Sequence, residues 1–204
     1  MKTHPGMMHL NGHLLVSIDF ETTGLRAGWH EIIQVALVPL NSDLRPHPEL
    51  PVFYHNVAPE HPERAAHGAQ QVHGLNLEDL MLNAPSAMRV SDLLIEWFEQ
   101  IDLPQAKKLM PLAHNWEFER SFGRAWLGDD LFEHLFHGHA RDGMRYALAL
   151  NDRALFASEK IPFPRVGLGA LCKKLGITND KPHDALHDAM AEAEVYRALI
   201  KYDL

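Results

Sequence analysis

One cysteine, Cys172, stands in a chain of 204 residues. An internal disulfide is therefore impossible, and so is a metal site built from thiolates. Its setting, Leu168-Gly169-Ala170-Leu171-Cys172, reads as that of a small core residue. No apolar run approaches the length of a membrane span, and residues 1–12 have no continuous apolar core of the kind a secretory leader carries, so a cytoplasmic protein with no membrane contact is expected. There is no P-loop, no nucleophile elbow and no dinucleotide glycine pattern. No internal repeat, low-complexity tract or composition shift marks a linker, so a single domain over residues 1–204 is expected, with 1–12 as a flexible N-terminal segment. An excess of basic charge is missing too: the formal net charge is -8. That argues against a protein coating long stretches of nucleic acid, whose affinity comes from many Lys and Arg contacts with phosphate, but it is compatible with gripping a short end.

What is present describes an ordinary globular chain. Hydrophobic residues make up 46% and charged residues 23%, and the length suffices to bury a core. Residues 1–100 hold 5 basic and 12 acidic side chains, 101–175 hold 11 and 9, and 176–204 hold 3 and 6. The acid is concentrated toward the two ends and the middle is mildly basic.

Hydrophobic runs at 14–20, 31–40 and 50–57, separated by Gly, Pro and Asn, predict three strands in an antiparallel meander. The pattern then predicts a short helix over 62–74, a longer one over 86–101 capped by Ser86, a fourth strand at 107–113 and a helix from 117 to 127 ending at Gly128. A fifth strand is expected at 131–136 or just after it, followed by helices at 143–155, 168–175 and 184–201. The last of these shows Leu186, Met190, Ala193, Tyr196 or Arg197, and Ile200 at helical spacing. The loop over 158–165 carries prolines and reads as a surface loop or a mobile flap. Strands first, then strands alternating with helices, imply an α/β fold with helices on the faces of a mixed sheet.

The chemistry starts at Ser17-Ile18-Asp19-Phe20-Glu21-Thr22-Thr23-Gly24-Leu25, the end of an apolar run. Side chains alternate along a strand, so Asp19 and Glu21 share one face while Val16, Ile18 and Phe20 share the other. Two such carboxylates repel and are costly to desolvate unless a cation sits between them or the strand end reaches water. Mg²⁺ or Mn²⁺ suits an all-oxygen donor set. Two later stretches add acids: His114-Asn115-Trp116-Glu117-Phe118-Glu119 after the fourth strand, and His183-Asp184-Ala185-Leu186-His187-Asp188-Ala189 at the last helix. On its helix Glu117 lies about 200° from Glu119, so the two point apart.

In order and type these stretches resemble the three motifs of the DEDDh branch of the 3′→5′ exonucleases, the proofreading-subunit-like family of the ribonuclease H-like fold. The first, D-x-E-T-T-G-L, is matched by Asp19 to Leu25; the second, H-N-x-x-F-D, by His114 to Phe118, with Glu119 in place of the final Asp; the third, H-x-A-x-x-D-A, by His183 to Ala189. Weaker similarities are Val72-His73-Gly74-Leu75, Arg141-Asp142-Gly143-Met144 and the Leu-rich 168–175. The resemblance implies a ribonuclease H-like mixed five-stranded sheet flanked by helices. It also implies a metal-dependent 3′→5′ exonuclease releasing mononucleotides from single-stranded 3′ ends, DNA slightly favoured, by two-metal hydrolysis with two Mg²⁺ or Mn²⁺. Asp19, Glu21, Glu119 and Asp188 would be the metal ligands: Asp19 shared by both ions, Glu21 and Asp188 on the ion that carries the attacking water, and Glu119 on the other. His183 would be the general base, a role suited to imidazole.

By the same resemblance the turn Thr22, Thr23, Gly24 and Leu25 would hold the terminal nucleotide, with backbone N–H groups as donors and Leu25 against the base. Trp116 divides between core and base contact, Asn115 between a substrate bond and a helix cap, while Phe20 and Phe118 read as core. The extra methylene of Glu119 moves its carboxylate by about 1.5 Å, which leaves room for weakened or Mn²⁺-preferring activity. The rivals are a 3′→5′ exoribonuclease of the same fold, a catalytically weakened 3′-end-binding accessory subunit, and a metal nuclease that cuts internally. A homodimer and a polymerase or repair partner both remain open. His134, His137 and His139 divide between a zinc or nickel site and exposed histidines, and Arg120, Arg124, Arg141, Arg145, Lys173 and Lys174 between phosphate tracking and a solvated face.

Overall fold

The computed structural model describes residues 11–203; the segment expected at 1–12 falls outside them except for Asn11 and Gly12. Its sheet has five strands: β1 (Leu14–Thr22), β2 (Ile32–Pro39), β3 (Phe53–Asn56), β4 (Leu109–Ala113) and β5 (Arg141–Asp142). Their order is β3-β2-β1-β4-β5. β1–β2 and β2–β3 pair antiparallel, as the meander requires, while β4 joins β1 in parallel and β5 joins β4 in parallel. The helices are α1 (His67–His73), α2 (Leu77–Asn83), α3 (Ala87–Ile101), α4 (Trp116–Leu127), α5 (Asp129–Leu135), α6 (Gly143–Phe156), α7 (Leu168–Leu175) and α8 (Ala185–Ile200). This is the mixed sheet flanked by helices of a ribonuclease H-like α/β fold.

Local chemistry sets most boundaries. The Ser86 hydroxyl accepts from the Arg89 N–H to start α3, and Gly176 closes α7 in the left-handed conformation. Elsewhere the expectations shift. The helix expected over 62–74 is a 3₁₀ turn at Pro62–Arg64 followed by α1, and α2, capped by Asn76, was not anticipated. Residues 131–135 belong to α5, so the fifth strand is the two-residue β5 after it. The loop over 158–165 is no flap: Phe163 is buried, and the Asn151 amide donates to its carbonyl at 2.7 Å and accepts from its N–H at 2.9 Å. Cys172 is buried as expected.

Both faces of the sheet are covered, which is why β1 and β2 read as almost continuous apolar runs. On one face Val16, Ile18 and Phe20 meet the apolar sides of α3, α4 and α5 through Leu94, Trp97, Phe122 and Phe132. On the other, Leu15, Ala36 and Val38 meet Ala185, Ala189 and Ala193 of α8. α8 is covered again on its far side, where Ala191, Val195 and Leu199 pack among residues of α6 and α7. Its inward faces are thus small, and two of the large residues at helical spacing, Met190 and Ile200, are 36% and 48% exposed. Alanines bring the helix axis close to the sheet, and that closeness carries the acids of α8 down to β1.

Candidate active site

β1 keeps the expected alternation: its α8-facing side runs Leu15, Ser17, Asp19, Glu21. In the β1–β2 register Asp19 sits opposite Ala36 and Glu21 opposite Gln34, and a shift between Glu21 and Thr22 ends the regular ladder beside the acids. Gln34 ties α8 down at this level. Its Oε1 accepts from the Ala185 N–H at 2.8 Å, and its Nε2 donates to the Tyr54 hydroxyl and to Asn56. The Tyr54 hydroxyl in turn donates to Asp184, whose other oxygen caps α8 by accepting from the His187 N–H. Burial and the bond to Asp184 push the Tyr54 phenol up to about 12, so it stays a donor. Burial pushes Asp184 upward, but its bonds from His187 and Tyr54 outweigh that and hold it below its ordinary value.

Asp188, one turn into α8, therefore arrives over Glu21. Its oxygens accept from the Asn179 amide and from the His183 N–H, the latter at 3.1 Å. His183 itself holds φ 65, a left-handed backbone on a non-glycine residue, which costs of order 1 kcal/mol and is kept by its surroundings. Ligand atoms of Glu21, His183 and Asp188 all lie within 4.8 Å of one another. The second motif enters from the other side. β4 ends beside β1, with Leu112 opposite Ser17, and delivers α4 so that Glu119 on its first turn is only 4% exposed next to Asp19. Asp142 fixes that entry, since its carboxylate accepts from the backbone N–H of Asn115, Trp116 and Arg145.

Acids crowded in this way resist ionisation. Asp19 is held well above the usual carboxylate range by burial first, and then by the charges of Glu119, Glu21 and Asp188. Burial, then Asp188 and Asp184, push Glu21 up to about 8. Burial also raises Asp188 and Glu119. Asp19 Oδ2 and Glu119 Oε2 are sealed from solvent with no hydrogen-bond partner. Orphaned buried oxygens cost several kcal/mol apiece when charged. A hard divalent cation removes that cost, so the donor set of Asp19, Glu21, Glu119 and Asp188 fits Mg²⁺ or Mn²⁺.

The acids floor a cleft of about 390 Å³. Its walls are apolar: Leu25, 87% exposed, on the turn after β1, Phe118 on α4, and Ala69 and Val72 on α1. Thr22 and Gly24 line it as well, and the turn is braced by the Thr22 hydroxyl donating to the Gly24 carbonyl at 2.7 Å. The backbone passes so close to His30 that a Cβ on Gly24 would sit 2.5 Å from its Nε2.

Not every expected contact reaches the cleft. Thr23 is buried, its N–H donates to the Glu31 carbonyl and its hydroxyl accepts from the Glu31 N–H, so it braces the turn and the backbone N–H expected to hold a nucleotide is already engaged. Trp116 is buried against Phe132, ring centroids 6.1 Å apart, and lies in the core outside the cleft lining. Asn115 precedes α4 with φ 89, makes no side-chain cap and does not line the cleft either. Phe20 is core, and Phe118 both packs on the core and lines the cleft. Glu117 points away and pairs with Arg120. Arg124 pairs with Asp129 and Glu133, and Arg145 with Asp142. His134, His137 and His139 form no group among the described residues whose ligand atoms converge for a metal; His134 meets Phe98, and His137 accepts from the His139 N–H.

Two residues in or beside the site were missed. His73 lines the cleft with Nε2 buried and unpartnered, and its Val72-His73-Gly74-Leu75 setting was the available signal. Glu192 lies one turn beyond Asp188 on α8, 2% exposed, at hydrogen-bonding reach of Asp19. Its four-residue spacing from Asp188 was the signal, hidden among alanines.

The family model for the RNase T exonucleases matches residues 16–196. No curated protein matches the chain. Among solved structures, cell-death related nuclease 4 (CRN-4) is 16% identical with a TM-score of 0.72, over 92% of this chain and 64% of that one. Exonuclease I of E. coli in complex with a dA16 oligonucleotide is 19% identical with a TM-score of 0.67, over 93% and 41%. The nuclease domain of 3′hExo, a DEDDh family member bound to rAMP, is 20% identical with a TM-score of 0.64, over 92% of each chain. At these identities the likeness is one of fold. The chain spans less than two thirds of the length of CRN-4 and about two fifths of exonuclease I.

Proposed function

We propose, since the chain belongs to the RNase T exonuclease family, that it is a metal-dependent 3′→5′ exonuclease releasing mononucleotides from single-stranded 3′ ends. The observation that carries this reading is the convergence of Asp19, Glu21, Glu119 and Asp188, from three distant stretches, on one cleft that also receives His183. Bound there, divalent cations supply the positive charge that activates a water and stabilises the departing oxygen. Asp19 would be common to both ions, Glu21 and Asp188 would hold the one nearest His183, and Glu119 would serve the other. His183, whose ring lies within 4.8 Å of ligand atoms of Glu21 and Asp188, would accept the proton of the attacking water. The water oxygen bonds to phosphorus, the bond from phosphorus to the neighbouring 3′ oxygen breaks, and that oxygen is protonated by solvent. The products are a nucleoside 5′-monophosphate and a strand one nucleotide shorter.

The apolar wall of Leu25, Phe118, Ala69 and Val72 suits the flat face of a terminal base, a contact tolerant of sequence and suited to a single strand. DNA is taken as the slightly favoured substrate. A dA16 oligonucleotide in exonuclease I and rAMP in 3′hExo are consistent with a fold that admits both sugars. The test is to present matched 5′-labelled DNA and RNA oligonucleotides to wild type and Asp19→Ala with Mg²⁺ or Mn²⁺. One-nucleotide ladders from the wild type that vanish in the variant are expected. Full activity in Asp19→Ala would refute the metal assignment, and binding without shortening in either metal would instead support a 3′-end-binding module.

A further inference from the structure

We infer that Glu192 is a fifth carboxylate of the cation site, its Oε2 receiving a hydrogen bond from water on the ion served by Asp19 and Glu119; this rests on the two-cation reading above. Glu192 and Asp188 are four residues apart on α8, so both project from the same side toward β1. The backbone N–H of His114 donates to Glu192 Oε1 at 3.1 Å and fixes the carboxylate at the junction between β4 and α4. Glu192 Oε2 is sealed from solvent at reach of Asp19, another carboxylate, so without a proton or a cation between them neither oxygen has a donor, and Glu119 Oε2 has none either.

Three orphaned oxygens in one dry pocket are a poor solution for packing alone, since leucine or methionine at 192 would fill the space without the cost of a buried acid. The arrangement is distinct from the tighter group of Glu21, His183 and Asp188, whose ligand atoms lie within 4.8 Å of one another. Glu192 lies at hydrogen-bonding reach of Asp19, behind a ligand, which suits water held by an ion that keeps part of its hydration, as Mg²⁺ usually does. Carboxylates that accept from coordinated water orient it and strengthen binding, and losing one costs about 10–100-fold in affinity. Burial is the main reason that Glu192 resists ionisation while no cation is bound.

The test counts and weighs bound Mn²⁺ by electron paramagnetic resonance on chelated and reloaded protein, for wild type, Glu192→Gln and Glu192→Asp. Wild type should bind two ions. Glu192→Gln, nearly isosteric and checked by its melting curve in chelator, should bind the first as before and the second at least tenfold more weakly, with partial recovery in Glu192→Asp. Two ions bound by Glu192→Gln at wild-type affinity would overturn the role of Glu192 and leave the two-cation reading standing. Fewer than two ions in the wild type would overturn that reading itself, and this inference with it. If Glu192→Gln does not fold, Glu192→Asp alone decides, since an unchanged second site would then be the overturning result.

Discussion

Raising the pH of the chelated protein from 6.5 to 8 should lower its melting temperature. In the folded chain Glu21 titrates at about 8, against an ordinary 4.5, because of burial and then the charges of Asp188 and Asp184. Between those values the folded protein keeps a proton that the unfolded chain has given up, so stability is fully present below pH 4.5 and drains away as pH rises through 8. Each unit is worth about 1.4 kcal/mol, so Glu21 alone accounts for roughly 2 kcal/mol over this window. Asp19, Glu119 and Glu192, held well above the usual carboxylate range chiefly by burial, act in the same direction.

The lower limit of the window matters. Burial lowers His55, His73 and His114, and a base with a depressed folded pKa contributes the opposite slope, but only up to its unfolded value of 6.5. For a chain of this size 2 kcal/mol corresponds to about 4–8 °C. Scanning calorimetry in chelator at pH 6.5, 7.25 and 8 measures the slope, and Glu21→Gln, which cannot ionise, should reduce it by the share of Glu21. Saturating Mg²⁺ or Mn²⁺ should restore more stability at pH 8 than at 6.5, since protons and cations compete for the same oxygens; at a hundred times the Kd the gain is about 2.7 kcal/mol. A melting temperature that is flat or rises from pH 6.5 to 8 in chelator would refute the claim that these acids are buried together.

Two substitutions separate binding from folding. Leu25→Ala removes a side chain that is 87% exposed, so the melting temperature should stay within about 1 °C, while KM for an oligonucleotide should rise roughly tenfold with kcat little changed, from the loss of apolar contact with the terminal base; an unchanged KM would remove Leu25 from the substrate path. Ala189→Leu adds bulk where α8 lies against the sheet and Ala189 is fully buried, and should cost about 1–3 kcal/mol; it should also shrink the metal-induced rise in melting temperature by displacing the adjacent Asp188. Normal metal stabilisation in a folded Ala189→Leu protein would argue against the close approach of α8.

Legibility followed the reach of the interactions. The face shared by Asp19 and Glu21 depends only on strand alternation, and the limits of α3, α4 and α7 depend on residues such as Ser86, Gly128 and Gly176 that cap them locally. β5 could not be read because two residues carry no period; they form a strand only because β4 lies alongside to pair with Leu112 and Ala113. The inward side of α8 was legible only where the small Ala185 and Ala189 flank Asp188, for a related reason. A helix covered on both sides has no single apolar stripe, and alanines that face the sheet look weaker on a hydropathy scale than a half-exposed Met190. Trp116 and Thr23 sit within recognisable motifs, yet neighbours far away in the chain or across the turn decide that they pack and brace: Phe132 for the one, Glu31 for the other.

The order of acids along the chain, their residue types and the strand that carries the first pair are properties of the chain itself, because each rests on local periodicity and covalent spacing. Which acids meet is not. Glu192 joins Asp19 only because small side chains let α8 settle onto β1, and Gln34 and Tyr54, reaching across the sheet, hold its first turn there. Such contacts span more than a hundred residues, and no local pattern records them.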